Sequence, residues 1–126
     1  YVYKRQDYLR NNQKKNINFL ALDNVSDPRN IGAIIRTSVA FNIDGIIVKD
    51  RSFPFKSKSL YKSACGGTEN LHIFRVSNIN TTLKFLKTKN FWVSAFNQCD
   101  KWDFCFMWTV ILVVPFLSLR FQRSVI

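Results

Sequence analysis

Acidic side chains are scarce in this chain. Eight Asp and Glu stand against nineteen Lys and Arg, giving a net charge of +11, and Glu69 is the only glutamate. A surplus of that size favours a polyanionic partner, RNA or DNA before an anionic membrane, although a merely basic composition gives the same number. Histidine occurs once, at His72, which excludes metal sites built on several histidines. It lies in an apolar run and reads as a half-buried strand residue. Cysteine occurs three times, at Cys65, Cys99 and Cys105, without a Cys-x-x-Cys pair. An odd count at that spacing excludes a zinc knuckle and a disulfide framework, and it fits a reducing, cytoplasmic setting. Glycine is limited to four positions and proline to three, so low-complexity segments are excluded. Long apolar runs are missing too. The apolar segment Phe104 to Leu117 has fourteen residues without a charge and contains Pro115. A membrane helix needs about 20.

What is present reads as one domain. The 126 residues are 47% hydrophobic and 21% charged, a globular balance at a length that supports a single core. The chain opens on Tyr1 and a polar, basic lead-in over residues 1–18, with no apolar signal core, and is expected to be cut from a longer protein. Residues 19–97 alternate in pattern. Asn18 to Leu22 and Gly45 to Lys49 are apolar strands, and Leu71 to Val76 and Phe91 to Phe96 are two more. Between them, Ile31, Ile34, Ile35 and Val39 recur at helical spacing. Leu60 to Cys65 forms a short helix ended by Gly66-Gly67, and Ile79, Leu83 and Leu86 give one face of a third. This order predicts an α/β fold, a parallel sheet with helices on both faces. Residues 98–126 lose the alternation. A buried strand, an anchor, or a tail that is not the protein's own continuation are the three readings of Phe104 to Leu117.

The stretch "LDNVSDPRNIGAIIRTS", Leu22 to Ser38, holds the first candidate site. Asp27 can cap a helix whose first position is Pro28. One stripe of that helix is Arg29, Ala33, Arg36 and Ala40, small and basic rather than apolar. Asn30 sits near the helix start, where its amide can bond backbone or ligand. Gly32 lets a backbone or a ligand approach. Arg36 offers a planar fork that matches phosphate. A capped amphipathic helix with solvated arginines accounts for the same residues. The loop lies at the carboxyl end of a strand, where α/β sheets gather ligands. A second cluster, Arg51, Lys56, Lys58 and Lys62, is interleaved with Phe53, Phe55 and Tyr61. It suits single-stranded RNA, with stacking and phosphate contacts, or else a solvated loop whose aromatics turn inward. Lys84, Lys87 and Lys89 read as a solvated helix face.

These motifs resemble the SpoU (TrmH-like) RNA 2′-O-ribose methyltransferases of the SPOUT superfamily. The first family motif is matched by Asp23, Val25, Asp27, Pro28, Asn30, Gly32, Arg36 and Thr37. A second is matched by Ser63, Ala64, Gly66 and Glu69, and a following Arg-Val-x-Asn by Arg75, Val76 and Asn78, with Ile79 for its usual Leu. The likeness runs from about Phe19 to Asn97 and is nearest the bacterial 23S rRNA guanosine methyltransferases. It implies a trefoil-knotted domain, S-adenosylmethionine as methyl donor, an RNA substrate (ribosomal or transfer) and a homodimer. It makes Arg36 the catalytic arginine and Asn30 the substrate-side asparagine. Arg29, Arg51, Lys56, Lys58 and Lys62 are the expected RNA-binding residues, and no metal is implied.

Two further family motifs, Gly-x-Glu-x-x-Gly and Leu-Asn-x-Ser, do not occur after Asn97, and Gly67 is the last glycine. They build the cofactor pocket and the knot, through which the family dimerises. The likeness stops abruptly near Cys99, which fits a frameshift or a cut between Asn97 and Lys101. The expectation is an N-terminal part of the methyltransferase domain with the knot region missing and little methyl transfer by this chain alone. A non-catalytic RNA-binding module is the alternative.

Overall fold

The structure is a computed structural model that describes residues 16–97 and 109–115. Five strands form one sheet in the order β3-β2-β1-β5-β4. They are β1 (Phe19–Asp23), β2 (Gly45–Lys49), β3 (His72–Val76), β4 (Phe91–Asn97) and β5 (Thr109–Pro115). The helices are α1 (Pro28–Ala40), α2 (Lys58–Ala64), a single turn α3 (Gly67–Asn70), and α4 (Ile79–Thr88).

β1, β2 and β3 pair in parallel, with Phe19 opposite Gly45 and Gly45 opposite His72. This is the predicted parallel core. The other half of the sheet differs from a purely parallel arrangement. β5 pairs antiparallel to β1, with Ala21 opposite Ile111, and antiparallel to β4, with Ala95 opposite Ile111. The apolar segment of the tail contributes a strand over Thr109–Pro115, placed in the sheet between β1 and β4. β4 still points the same way as β1, because two antiparallel steps restore the direction. The lead-in over residues 1–15, the segment 98–108 with Cys99 and Cys105, and residues 116–126 lie outside the described residues.

The sheet is covered on both faces. Phe19, Ala21, Ile47, Phe74 and Val76 pack under Ile79, Leu83 and Leu86 of α4. Leu22, Ile46, Val48 and Ile73 pack under Ile31 and Ile35 of α1 and Leu60 of α2. Alternate residues of each strand thus serve opposite cores. That is why β1 and β2 read as unbroken apolar runs rather than as an alternation.

Local chemistry sets the helix ends. The Asp27 carboxylate accepts from the Arg29 amide at 3.3 Å, with Pro28 at the first position. α1 ends at Phe41, and Asn42 follows in the left-handed region at φ 57°. Asn78 caps α4 by accepting from the amides of Asn80 and Thr81. At the amino ends of the strands, the Asn18 amide donates to Asp44 Oδ2 at 2.8 Å and the His72 amide to the Asp44 carbonyl at 3.4 Å. His72 is half-buried there, as the sequence predicts.

Candidate functional site

The carboxyl ends of β1, β2, β3 and β4 lie along one edge of the sheet, because all four point the same way. The loops leaving them gather at that edge. The first, Asn24 to Asp27, has Asn24 at φ 58° and Val25 buried at 4% exposure. The left-handed Asn24 turns the chain off β1, and Val25 pins the loop to the core before Asp27 starts α1.

Gly32 decides how α1 meets α2. A Cβ on Gly32 would stand 2.6 Å from the Leu60 carbonyl oxygen, 2.6 Å from Ser63 Cβ and 3.0 Å from the Ala64 nitrogen. The helices touch backbone to backbone at this point. One turn along α1, the Cα of Arg36 lies 3.7 Å from where a Gly67 Cβ would be, with Ile35 and Val39 also against Gly67. As α1 advances from Gly32 to Arg36, its partner advances from Leu60 to Gly67. The two segments therefore run side by side in the same direction. Gly32 is a spacer for a helix backbone, which settles which of its two expected neighbours is present.

The α2–α3 turn is sharp. Cys65 has φ 50° and Gly66 has φ 78°, two left-handed residues in succession. They end α2, and Gly67 then opens α3 instead of a loop. Cys65 is exposed, with its thiol 3.6 Å from the Lys62 carbonyl.

Arg29, Arg36, Arg51, Lys56, Lys58 and Lys62 are all exposed. None of them makes an ion pair among the described residues, where Arg75–Asp50 is the one salt bridge. Asn30 is half-buried in the first turn of α1. The structure brings the α1 residues and the α2 lysines onto one pair of packed helices. Arg51 and Lys56 stand on the intervening β2–α2 loop. Lys84, Lys87 and Lys89 are exposed on α4, across the sheet from α1, and so belong to a different face.

The aromatics of the second cluster divide. Phe53 is buried at 8% exposure and takes the inward-turned reading. Phe55 lies 4.4 Å from the Phe53 ring and carries the Arg75 guanidinium 4.3 Å above its own centroid, so its faces are occupied. Tyr61 is 48% exposed and donates its hydroxyl to the Phe55 carbonyl at 2.9 Å, leaving its ring available for stacking. The sequence places Arg75 in a family motif but gives it no role. Its signal, an acidic partner in Asp50, lies 25 positions away.

Residues 18–113 match the SpoU rRNA Methylase family. The chain belongs to that family. Among its relatives is a Staphylococcus aureus (strain COL) protein named as a TrmH family tRNA/rRNA methyltransferase, 31% identical over 107 residues, which are 82% of this chain and 43% of that one. Staphylococcus epidermidis (strain RP62A) and Staphylococcus saprophyticus (strain ATCC 15305) have proteins of the same name. These are 28% identical over 107 residues and 32% over 81 residues, respectively 82% and 64% of this chain and 43% and 32% of theirs. The chain thus spans less than half the length of the curated relatives it matches. The SpoU match continues past Asn97, where the motif likeness stops, into β5. No helix among the described residues is long and apolar enough to cross a membrane, and none of their His, Cys, Asp and Glu residues cluster as a metal site.

Proposed function

We propose that this SpoU chain carries the RNA-facing part of a methyltransferase that modifies a ribose 2′-hydroxyl of ribosomal or transfer RNA, with S-adenosylmethionine as donor. One observation supports this above the rest. Arg36 stands exposed, without an ion-pair partner among the described residues, and its backbone packs at two glycine contacts, one through Gly32 and one through Gly67. A surface arginine on a flexible mount contributes little. An arginine on a backbone held this firmly can meet a phosphate at a set angle.

The Arg36 guanidinium offers N–H donors and no acceptor, which does not suit a base. Its role in this reading is electrostatic. The guanidinium grips a backbone phosphate with two parallel hydrogen bonds and stabilises negative charge growing on the adjacent 2′-oxygen. Asn30, in the first turn of α1, has a donor and an acceptor to hold the target nucleotide. Arg29, Arg51, Lys56, Lys58 and Lys62 supply phosphate contacts, and the Tyr61 ring can stack on one base.

The described residues do not fit the donor. The one glycine pair is Gly66-Gly67. A Cβ on Gly67 would stand 3.3 Å from Ile35 Cγ2 and 3.4 Å from Val39 Cγ2, so that space serves helix packing. Gly66 faces open space, with nothing within 4 Å of a Cβ. Neither forms a cradle for adenosine. This favours, as the second reading, an RNA-binding module without its own transfer activity.

Binding of a short single-stranded oligoribonucleotide, measured by anisotropy against KCl concentration, tests the proposal. The slope of log K against log salt should fall by about 0.7 in Arg36→Ala, the loss of one phosphate contact on a single strand. An unchanged slope would sink the assignment. Titration calorimetry with S-adenosylmethionine separates the two readings of this chain. No heat is the expected result, and micromolar binding would show a pocket that the described residues do not reveal.

A further inference from the structure

The proposed RNA surface depends on a loop with little structure of its own. Between β2 and α2, the bonds within the loop and to its end residues are Ser52 to Lys49, Phe55 to Phe53 and Ser57 to Pro54. This loop carries Arg51 and Lys56 and leads into Lys58. Eight residues held only by such turns would sample many positions, and each bound phosphate would then bear an ordering cost.

A chain of contacts removes that freedom. Ile73 and Arg75 alternate with Phe74 and Val76 on β3, so Arg75 extends on the face that α1 and α2 cover. β3 is an edge strand, and its carboxyl end borders the loop. The Arg75 guanidinium pairs with the Asp50 carboxylate, through both Nε and Nη2 to Oδ1. Its Cζ also lies 4.3 Å from the Phe55 ring centroid. Phe55 rests on Phe53, which is buried in the core, and the Phe55 carbonyl accepts from Tyr61 of α2 at 2.9 Å. The Asp50 amide donates to the Val76 carbonyl at 2.9 Å, closing the loop's first residue against the same strand. The first residue of the loop is thus tied to β3, and Phe55 to β3 and α2.

We propose that Arg75 is a positioning residue, which clamps the Asp50–Ser57 loop against β3 and so preforms the basic surface of Arg51, Lys56 and Lys58 for single-stranded RNA. Arg75 is then the one cation of the region that is spent internally, and it acts through the loop rather than by touching the phosphate. The inference rests on the RNA reading above for its partner and on the contacts alone for the clamp.

Two substitutions separate this from simple charge. Asp50→Ala raises the net charge by one. Electrostatics alone then predicts tighter RNA binding, whereas release of the clamp predicts weaker binding. Arg75→Lys keeps the charge and loses the guanidinium fork over Phe55. The expected result for Asp50→Ala is weaker binding of the same oligoribonucleotide, by about three- to fivefold, from the combined loss of an exposed ion pair and the stack it supports. Arg75→Lys should weaken it in the same direction by less. Amide hydrogen exchange across residues 51–57 should speed up in both, with far-UV circular dichroism unchanged. Binding by Asp50→Ala as tight as wild type or tighter overturns the positioning role. Unchanged exchange over 51–57 overturns the clamp itself. If wild type shows no salt-dependent RNA binding, the RNA reading fails, and the exchange measurement still decides the clamp.

Discussion

Gly32→Ala gives the sharpest test of how the site is assembled. In an open helix this change stabilises by roughly 0.8–1 kcal/mol, since Gly loses more backbone entropy than Ala on folding. Here the new methyl would meet the Leu60 carbonyl oxygen and Ser63 Cβ at 2.6 Å each. Ordinary contacts of that kind lie near 3.5 Å, so α1 and α2 must part by most of an ångström. Neither neighbour can escape by changing rotamer, because one is backbone and the other is a Cβ. Overpacking of this sort costs typically about 1–3 kcal/mol. The two effects sum to a net loss of about 0–2 kcal/mol, with a melting temperature several degrees lower for a domain of this size. Urea unfolding followed by far-UV circular dichroism measures it. The same substitution at the other glycines of the region calibrates the result. At Gly67 the nearest atoms are side-chain methyls of Ile35 and Val39 at 3.3 and 3.4 Å, which can yield, so Gly67→Ala should change stability by less than about 0.5 kcal/mol. At Gly66 there is room but φ is +78°, so Gly66→Ala should cost about 1–2 kcal/mol through backbone strain alone. Stabilisation by Gly32→Ala of about 1 kcal/mol would refute the close approach of α1 and α2, and with it the fixed mount of Arg36.

Other substitutions probe the frame around the site. Asp27→Ala removes the cap of α1 and should cost about 1 kcal/mol in urea unfolding, while Asp27→Asn retains most of it. Leu86→Ala, on the buried face of α4 at 1% exposure, should cost about 2–5 kcal/mol, and a loss below about 1 would mean that α4 does not seal its face of the sheet. Leu112→Pro breaks a strand that pairs with Leu20 on one side and Ser94 on the other. Cooperative unfolding should vanish, and a variant with a wild-type melting curve would remove β5 from the centre of the sheet.

Much of the first half of the fold is written locally. Asp27-Pro28 marks the start of α1 because a short acceptor and a residue without an amide proton both suit that end. Ile31 and Ile35 repeat every four residues because one stripe must reach the sheet. Ile79, Leu83 and Leu86 mark the next helix by their spacing, and Asn78 just ahead of them proves to be the cap that accepts from two amides. What was not legible is pairing. The apolar run around Thr109–Pro115 announces a strand by its β-branched content, but nothing in it names a neighbour. Alternation of strand and helix places a fourth strand directly beside the parallel set. Instead β5 enters between β1 and β4, a contact across some ninety positions from Phe19 to Val113. Gly66-Gly67 misled for a different reason. Two glycines end a helix in most contexts, yet only Gly66 takes the left-handed conformation, and Gly67 is free to begin α3.

The candidate site shows the same division between local and distant signals. Arg36 could be singled out because the family motif that it matches lies within one short stretch. Its setting could not, since the residues that seat it, Leu60 to Gly67, come from another element. The mixture of basic and aromatic residues after β2 left two readings open, and the structure divides it residue by residue. Phe53 goes to the core, Phe55 goes to Arg75, and Tyr61 alone keeps an exposed ring. That division has a physical basis. An aromatic ring near an edge strand can be covered by core, by a cation or by solvent, and the choice depends on what the neighbouring strand presents. β3 presents Arg75, so the loop gains an internal cation and an anchor in Asp50. The remaining cations of the cluster make no ion pair among the described residues. A basic surface of unpaired side chains on a tied-down loop is suited to a polyanion, whereas the same charges paired with carboxylates would be suited to none.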